Sequence, residues 1–320
     1  MSMAEKIETL DYYVGKALDF FEEQGNQTLE LPESRHTLVV GSQTGLLTGR
    51  IIYRFAGRSF SHAKEVLAPC EIDAKIDILE DVTIVSATGS RQMVPIARYA
   101  IKKKLRVNAI LCKDNSELKK DFDGKIKIIA YSAIEEPPTV NTSTYGTMIR
   151  AATDENISEI RRVVESLKEP KGGYGRFNSF TVIFTDYMPE VAEMVGWKLG
   201  GEKIGRCIGT MSTHLTNFMH GAAITDTDGE LYIAVGLTKE EKKVFGQVLE
   251  PVPEERKHYI DVPDNFGFLG FMMLGYSIVG QIQKNYPGFQ NNIRDYEQRI
   301  KKWDWLKPPC DENNNQSRLL

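Results

Sequence analysis

The sequence predicts an α/β fold, two parallel-sheet sandwiches in tandem, on three observations. Short apolar runs ending in Gly, Ser or Thr recur along the chain, as buried parallel strands do. Segments with helical apolar spacing lie between them, and such alternation means parallel strands with helices on both faces. The alternation breaks after residue 150 and restarts, dividing 320 residues into halves of ordinary domain size, 1–150 and 151–320.

The elements follow in order. Ile7, Leu10, Tyr13, Val14, Ala17, Leu18 and Phe21 recur at helical spacing and predict an opening helix within 4–24, broken by the LPES stretch at Leu31–Ser34. TLVVG (Thr37–Gly41) reads as a strand, and Ser42 or Thr44 caps the helix that runs on through Ile51–Ala56. VTIVS (Val82–Ser86) is a second strand, with Pro95 near the start of the next helix. LRVNAILC (Leu105–Cys112) and KIKIIAY (Lys125–Tyr131) are the third and fourth. After the break come a helix over 151–169, a Gly-rich crossover from Glu169 to Phe180, and a strand, FTVIFTD (Phe180–Asp186). A Pro-led helix follows, then strands at RCIGTM, LYIAVGL (Leu231–Leu237) and HYIDVP (His258–Pro263). VFGQVLE and GFLGFMMLGYSIVGQIQ supply further helices. The latter is apolar all round, so it is expected to be buried, between domains or between subunits.

Composition excludes several classes of function. At 41% hydrophobic and 26% charged, the chain is an ordinary globular protein. A net charge of -4, with no basic run beyond Lys102–Lys104, gives no field for a nucleic-acid backbone. No apolar run suits a membrane span, and the first residues lack the apolar core of a secretory leader. Cys70, Cys112, Cys207 and Cys310 have neither zinc nor redox spacing, so reduced thiols, a cytoplasmic setting and no metal are expected.

The strand ends carry the chemistry. GSQTG (Gly41–Gly45) follows the first strand, SATGS (Ser86–Ser90) the second, and NTSTYG (Asn141–Gly146) the fourth. Ligands of open parallel sheets bind beyond the carboxyl ends of the strands. Ser and Thr cap helices everywhere, yet three clusters at strand ends predict an anion cup of helix N–H groups and hydroxyls. With few cations it suits one phosphate on a small molecule. The nucleotide motifs GxxxxGK[ST] and GxGxxG are absent, since GSQTGLLTG has the wrong spacing.

These residues resemble the double SIS-domain (sugar isomerase) family, whose phosphate loop is Ser-x-Ser-Gly-x-Thr. Ser86-Ala87-Thr88-Gly89-Ser90-Arg91 is similar to it, with Arg91 where Thr is usual. Gly41–Gly45 resembles the family's Gly-x-Gly-x-Ser turn, Lys113–Leu118 its Asn-x-x-Ser-x-Leu turn, and Glu136–Thr144 its third hydroxyl cluster after a Glu. The resemblance implies two SIS-like domains and a phosphate held by Ser42, Thr44, Ser86, Thr88, Gly89, Ser90, Arg91, Thr142, Ser143 and Thr144. In the second half the family's glycine-rich turn is replaced by Thr185-Asp186-Tyr187, so a second phosphate is not expected there.

The resemblance further implies an aldose–ketose isomerase of hexose phosphates, of the phosphoglucose/phosphomannose type. Such chemistry moves a proton between adjacent carbons through an enediol and needs no cofactor. Glu202 is nearest the family's base, one residue out of register. His220 matches the ring-opening histidine, and Lys307 resembles the lysine of the C-terminal Leu-x-Lys. Glu65 and Glu136 are alternative bases, and His62 and His214 further histidines of interest. Asn217 stands where the amidotransferase-type and phosphoglucose-type relatives have glutamate. An amino-sugar isomerase or deaminase and a non-catalytic phosphosugar sensor therefore remain alternatives. The family also implies a homodimer or dimer of dimers, for which the first helix and Phe268–Gln283 offer apolar surface.

Overall fold

The computed structural model describes residues 8–25, 28–31, 34–55, 60–89, 91–112, 116–137, 140–199, 209–221 and 229–286. Parallel sheets with helices on their faces are present, as the alternation predicts. The chain falls into two compact units, divided otherwise than at residue 150: one comprises 29–133 and 298–320, the other 1–28 and 134–297.

In the first-sheet unit, β1 (Thr37–Gly41), β2 (Phe60–Lys64), β3 (Asp81–Ser86), β4 (Arg106–Leu111) and β5 (Lys127–Ala130) form one sheet. The order is β2-β1-β3-β4-β5, with every pair parallel. β1 and β3 are buried along their whole length, which is why apolar residues stand at successive positions, as in Leu38–Val40 and Ile84–Val85, rather than alternating. β2, Phe-Ser-His-Ala-Lys, lies where the family resemblance places a strand around His62; residue pattern alone does not mark it, because it is a polar segment at the edge of the sheet. The helices are α2 (Gln43–Phe55), α3 (Ala68–Lys75), α4 (Met93–Lys102) and α5 (Glu117–Phe122). One sheet face packs Leu38, Val40, Val82 and Ile84 with Ile72, Ile96, Ala97 and Leu118 from α3, α4 and α5. On α2, a Cβ added to Gly49 would lie 2.5 Å from Val39 Cγ1, so this glycine lets the helix lie close against the sheet.

The second-sheet unit holds β6 (Ser179–Phe184), β7 (Gly209–His214), β8 (Glu230–Val235) and β9 (Lys257–Ile260), ordered β7-β6-β8-β9 and all parallel. Its helices are α1 (Leu10–Gln24), α6 (Thr142–Thr153), α7 (Ile157–Glu165), α8 (Pro189–Leu199), α9 (Leu215–Gly221), α10 (Lys239–Val248) and α11 (Phe268–Lys284). The helix expected over 151–169 is two helices, because Asp154 turns left-handed at φ 51° and Asn156 caps α7 afresh through the Glu159 N–H. Leu215, Phe218, Phe245 and Leu249 cover one sheet face with Ile183, Tyr232 and Ala234. The all-apolar α11 is buried within this unit, against α1, α6, α7 and α8. The apolar faces of α1 and α11 are thus covered by their own unit.

Candidate functional site

The carboxyl edge of the first sheet has a topological switch point. From β1 the chain moves outward to β2, then crosses back to β3 on β1's other side. The crevice this leaves between the ends of β1 and β3 is where open α/β sheets take ligands. Both sides of it carry hydroxyl loops. After β1, Ser42 and Thr44 are half-buried at the start of α2. The chain turns tightly there: Gly45 N–H donates to the Ser42 carbonyl at 2.7 Å. A side chain at Gly41 would put its Cβ 2.5 Å from Leu46 N, so only glycine fits.

After β3, Ser86 is 6% exposed and its Oγ accepts from Gly89 N–H at 3.1 Å. Gly89 sits at φ 56°, and an added Cβ would lie 3.0 Å from Ser116 Cβ and 3.1 Å from Leu111 Cδ1. This left-handed turn leads the chain to α4, whose Gln92 N-cap gives no side-chain bond. The Gln92 side chain thus leaves the first N–H groups of α4 uncapped by itself. Thr88 and Arg91 are exposed beside them. Glu65 directly follows β2 at this same edge, where burial pushes its carboxyl above the ordinary 4.5 against the opposing pulls of its own backbone N–H and Lys64. A half-buried carboxyl kept protonated more easily than usual is suited to proton transfer.

The corresponding edge of the second sheet is already filled with the protein's own carboxylates. Its switch point lies between β6 and β8. There Glu241 Oε1 accepts from Thr185 Oγ1 and from Asp186 N–H, both at 2.9 Å. Its other oxygen accepts from Thr238 N–H at 2.8 Å, completing the capping box of α10. Asp186 Oδ1 accepts from Thr216 N–H at 2.7 Å, and Oδ2 accepts from Thr216 Oγ1 at 2.6 Å. His214 Nδ1 is 2.9 Å from Asp186 Oδ1. Burial pushes the Asp186 carboxyl up, but Thr216 and His214 together outweigh it and hold it below the ordinary 3.8. Built-in negative charge occupies this crevice, in keeping with the loss of the glycine turn at Thr185–Tyr187.

The third hydroxyl cluster belongs to the second-sheet unit and opens α6. Thr142 and Ser143 are fully buried and Thr144 nearly so. Glu136 holds them: Ser143 donates from N–H (3.3 Å) and Oγ (2.9 Å), and Thr144 from N–H and Oγ1 (both 3.0 Å). A carboxylate from this chain thus stands at the helix end where an anion would. Nearby, Lys198 is 5% exposed; its Nζ donates to the Val140 carbonyl at 2.7 Å and lies 5.2 Å from the centre of the Tyr276 ring.

Of the remaining sequence candidates, His220 is exposed on α9, and Asn217 donates from Nδ2 to Thr213 Oγ1 at 2.7 Å. Ser90, Glu202 and Lys307 lie outside the described residues. Among the described residues, no group of three or more His, Cys, Asp or Glu is placed to hold a metal, and no helix is long and apolar enough to cross a membrane.

No family model matches the sequence, and no curated protein matches it. Solved structures do match. Tagatose-6-phosphate ketose/aldose isomerase from Escherichia coli superposes with a TM-score of 0.59 at 13% identity, covering 88% of this chain and 90% of that one. Glucosamine-6-phosphate deaminase from Thermotoga maritima gives 0.58 at 14%, covering 90% and 93%. The C-terminal domain of glucosamine-fructose-6-phosphate aminotransferase from Francisella tularensis gives 0.53 at 11%, covering 88% and 94%. At these identities the likeness is one of fold: the chain has the α/β architecture of phosphosugar isomerase proteins.

Proposed function

We propose that this chain binds a sugar phosphate at the carboxyl edge of its first sheet and isomerises it between aldose and ketose. One observation carries the reading: two hydroxyl loops flank the switch point between β1 and β3, and the helix that follows one of them takes no side-chain bond from its Gln92 N-cap. The phosphate accepts from the first N–H groups of α4 and from Ser86 and Thr88, with Ser42 and Thr44 on the other loop; the sequence assigns Ser90 to the same set. Arg91 replaces the hydroxyl of the family's loop with a fork of donors that matches phosphate geometry. Fixing the phosphate lets its binding energy position the reacting carbons elsewhere on the sugar.

Proton transfer between C1 and C2 needs a carboxyl group and a stabilised oxyanion. Glu65 is the described carboxyl at this sheet edge with a raised pKa. The family resemblance gives the roles of base, ring opener and oxyanion stabiliser to Glu202, His220 and Lys307. The solved structures of similar fold include an isomerase and a deaminase of sugar phosphates, which supports this substrate class. A sensor without catalysis is the second reading, favoured by Asn217, an amide where relatives carry a carboxylate.

Calorimetry with glucose 6-phosphate and fructose 6-phosphate, against glucose and fructose, tests the binding. Exchange of the C2 proton in heavy water tests the chemistry, and ammonia release from glucosamine 6-phosphate tests the deaminase. Arg91→Ala is expected to weaken binding about tenfold or more, the loss of a charge-assisted hydrogen bond. Equal affinity for phosphorylated and unphosphorylated sugars would remove the proposal; binding without exchange or ammonia release selects the sensor.

A further inference from the structure

We propose that Asp186 and His214 form a proton-transfer dyad at the carboxyl edge of the second sheet, taking a sugar hydroxyl as its ligand. The choice of a sugar rests on the function proposed above; the dyad rests on its own geometry.

Phe184 and His214 are register partners at the ends of β6 and β7, so the turn after β6 brings Asp186 beside the imidazole. Thr216 fixes the carboxylate through both oxygens. As the cap of α9 it needs no more than that. The bond to His214 is additional, and what it does is orient the ring. Asp186 is held ionised by these partners, and an ionised carboxylate only accepts, so Nδ1 of the neutral ring carries the proton. Nε2 is then left with its lone pair, on a side chain 31% exposed. An oriented, accessible imidazole backed by a carboxylate is arranged to accept a proton.

The surroundings define the ligand. Asp186 and Glu241 place two carboxylates at this edge, which repel phosphate. A neutral group that donates to Nε2 suits it, and sugar hydroxyls are such donors. In the transfer the ligand's O–H bond breaks and an Nε2–H bond forms. The imidazolium is paired with Asp186, the electron pair stays on the ligand oxygen, and the reverse step returns the proton. No oxidant or further reactant is required.

The test uses the full chain labelled with 15N-histidine. Expected are an Nδ1–H tautomer for His214 and a shift of its Nε2 resonance on adding fructose or sorbitol, with none on adding inorganic phosphate. In His214→Gln, affinity for fructose is expected to fall about tenfold, the loss of one hydrogen bond to the ligand, with the affinity for inorganic phosphate unchanged. Asp186→Asn should lose the Nδ1–H tautomer; if that variant does not fold, His214→Gln decides. An Nε2–H tautomer, a resonance that no sugar moves, one moved equally by phosphate, or undiminished fructose affinity in His214→Gln each overturns the dyad. Absence of phosphosugar binding together with a sugar-dependent His214 shift would instead overturn the proposed function and leave the dyad standing.

Discussion

Glu136 and Ser143 are joined twice: one carboxylate oxygen accepts from the Ser143 hydroxyl at 2.9 Å and the other from its backbone N–H at 3.3 Å. With the two bonds from Thr144, the opening turn of α6 is satisfied by a residue that precedes the helix. Glu136→Ala should destabilise the protein by about 0.5–2 kcal/mol, the usual range for a lost helix cap, as read from urea unfolding. The vacated turn should then take anions, so phosphate should raise the melting temperature of the variant more than that of the parent. An equal response in both proteins would show that Glu136 does not occupy an anion position.

Gly89 stands at φ 56° with Ser116 and Leu111 against the place of a Cβ. Gly89→Ala should cost about 1–3 kcal/mol in stability, since a strained backbone position of this kind carries such a penalty. It should also weaken sugar-phosphate binding more than Thr88→Val, because it displaces the path into α4 while the valine removes one hydroxyl. A variant with unchanged melting temperature and affinity would contradict the turn described.

Glu155 accepts from the Leu269 and Gly270 N–H groups at 2.8 and 2.9 Å, at the start of α11. Burial nevertheless raises its carboxyl above the ordinary 4.5, the hydrogen bonds opposing this only in part. The folded state therefore holds the proton more tightly than the unfolded chain. The resulting contribution to stability is full below pH 4.5 and is lost as pH rises through the folded value. The stability of the parent relative to Glu155→Gln should fall with rising pH across that window. Urea unfolding at several pH values checks the sign; an advantage that grows with pH would refute it.

Tyr276 is fully buried, and its hydroxyl has no hydrogen-bond partner among the described residues. An orphaned polar group costs about 1–3 kcal/mol. Tyr276→Phe should therefore leave stability unchanged or raise it, keeping the ring that Lys198 lies over. A clear loss of stability would mean that the hydroxyl is satisfied, for example by an internal water.

The central strands were legible because burial on both faces puts apolar residues at successive positions, as in Leu38-Val39-Val40 and Ile84-Val85. β2 was not, since an edge strand of Phe-Ser-His-Ala-Lys has neither a run nor a clean alternation. For the candidate site, the hydroxyl loops could be read from their place after strands, and the missing glycine turn at Thr185–Tyr187 pointed to a second edge unsuited to phosphate. The carboxylates of Glu241 and Glu136 could not be read as its occupants or as plugs: they reach Asp186 from 55 residues away and Ser143 from seven, and neither spacing is a local signature.

The second-sheet unit is assembled from two stretches of sequence, with residues 29–133 between them. A ribosome therefore releases α1 long before α11, the helix it packs against, has been made. The five strands of the intervening sheet, β1 to β5, have all emerged before the first strand of the host sheet, β6, is made, while the apolar side of α1 waits uncovered. Synthesis thus lets the first sheet form while its host still lacks every strand.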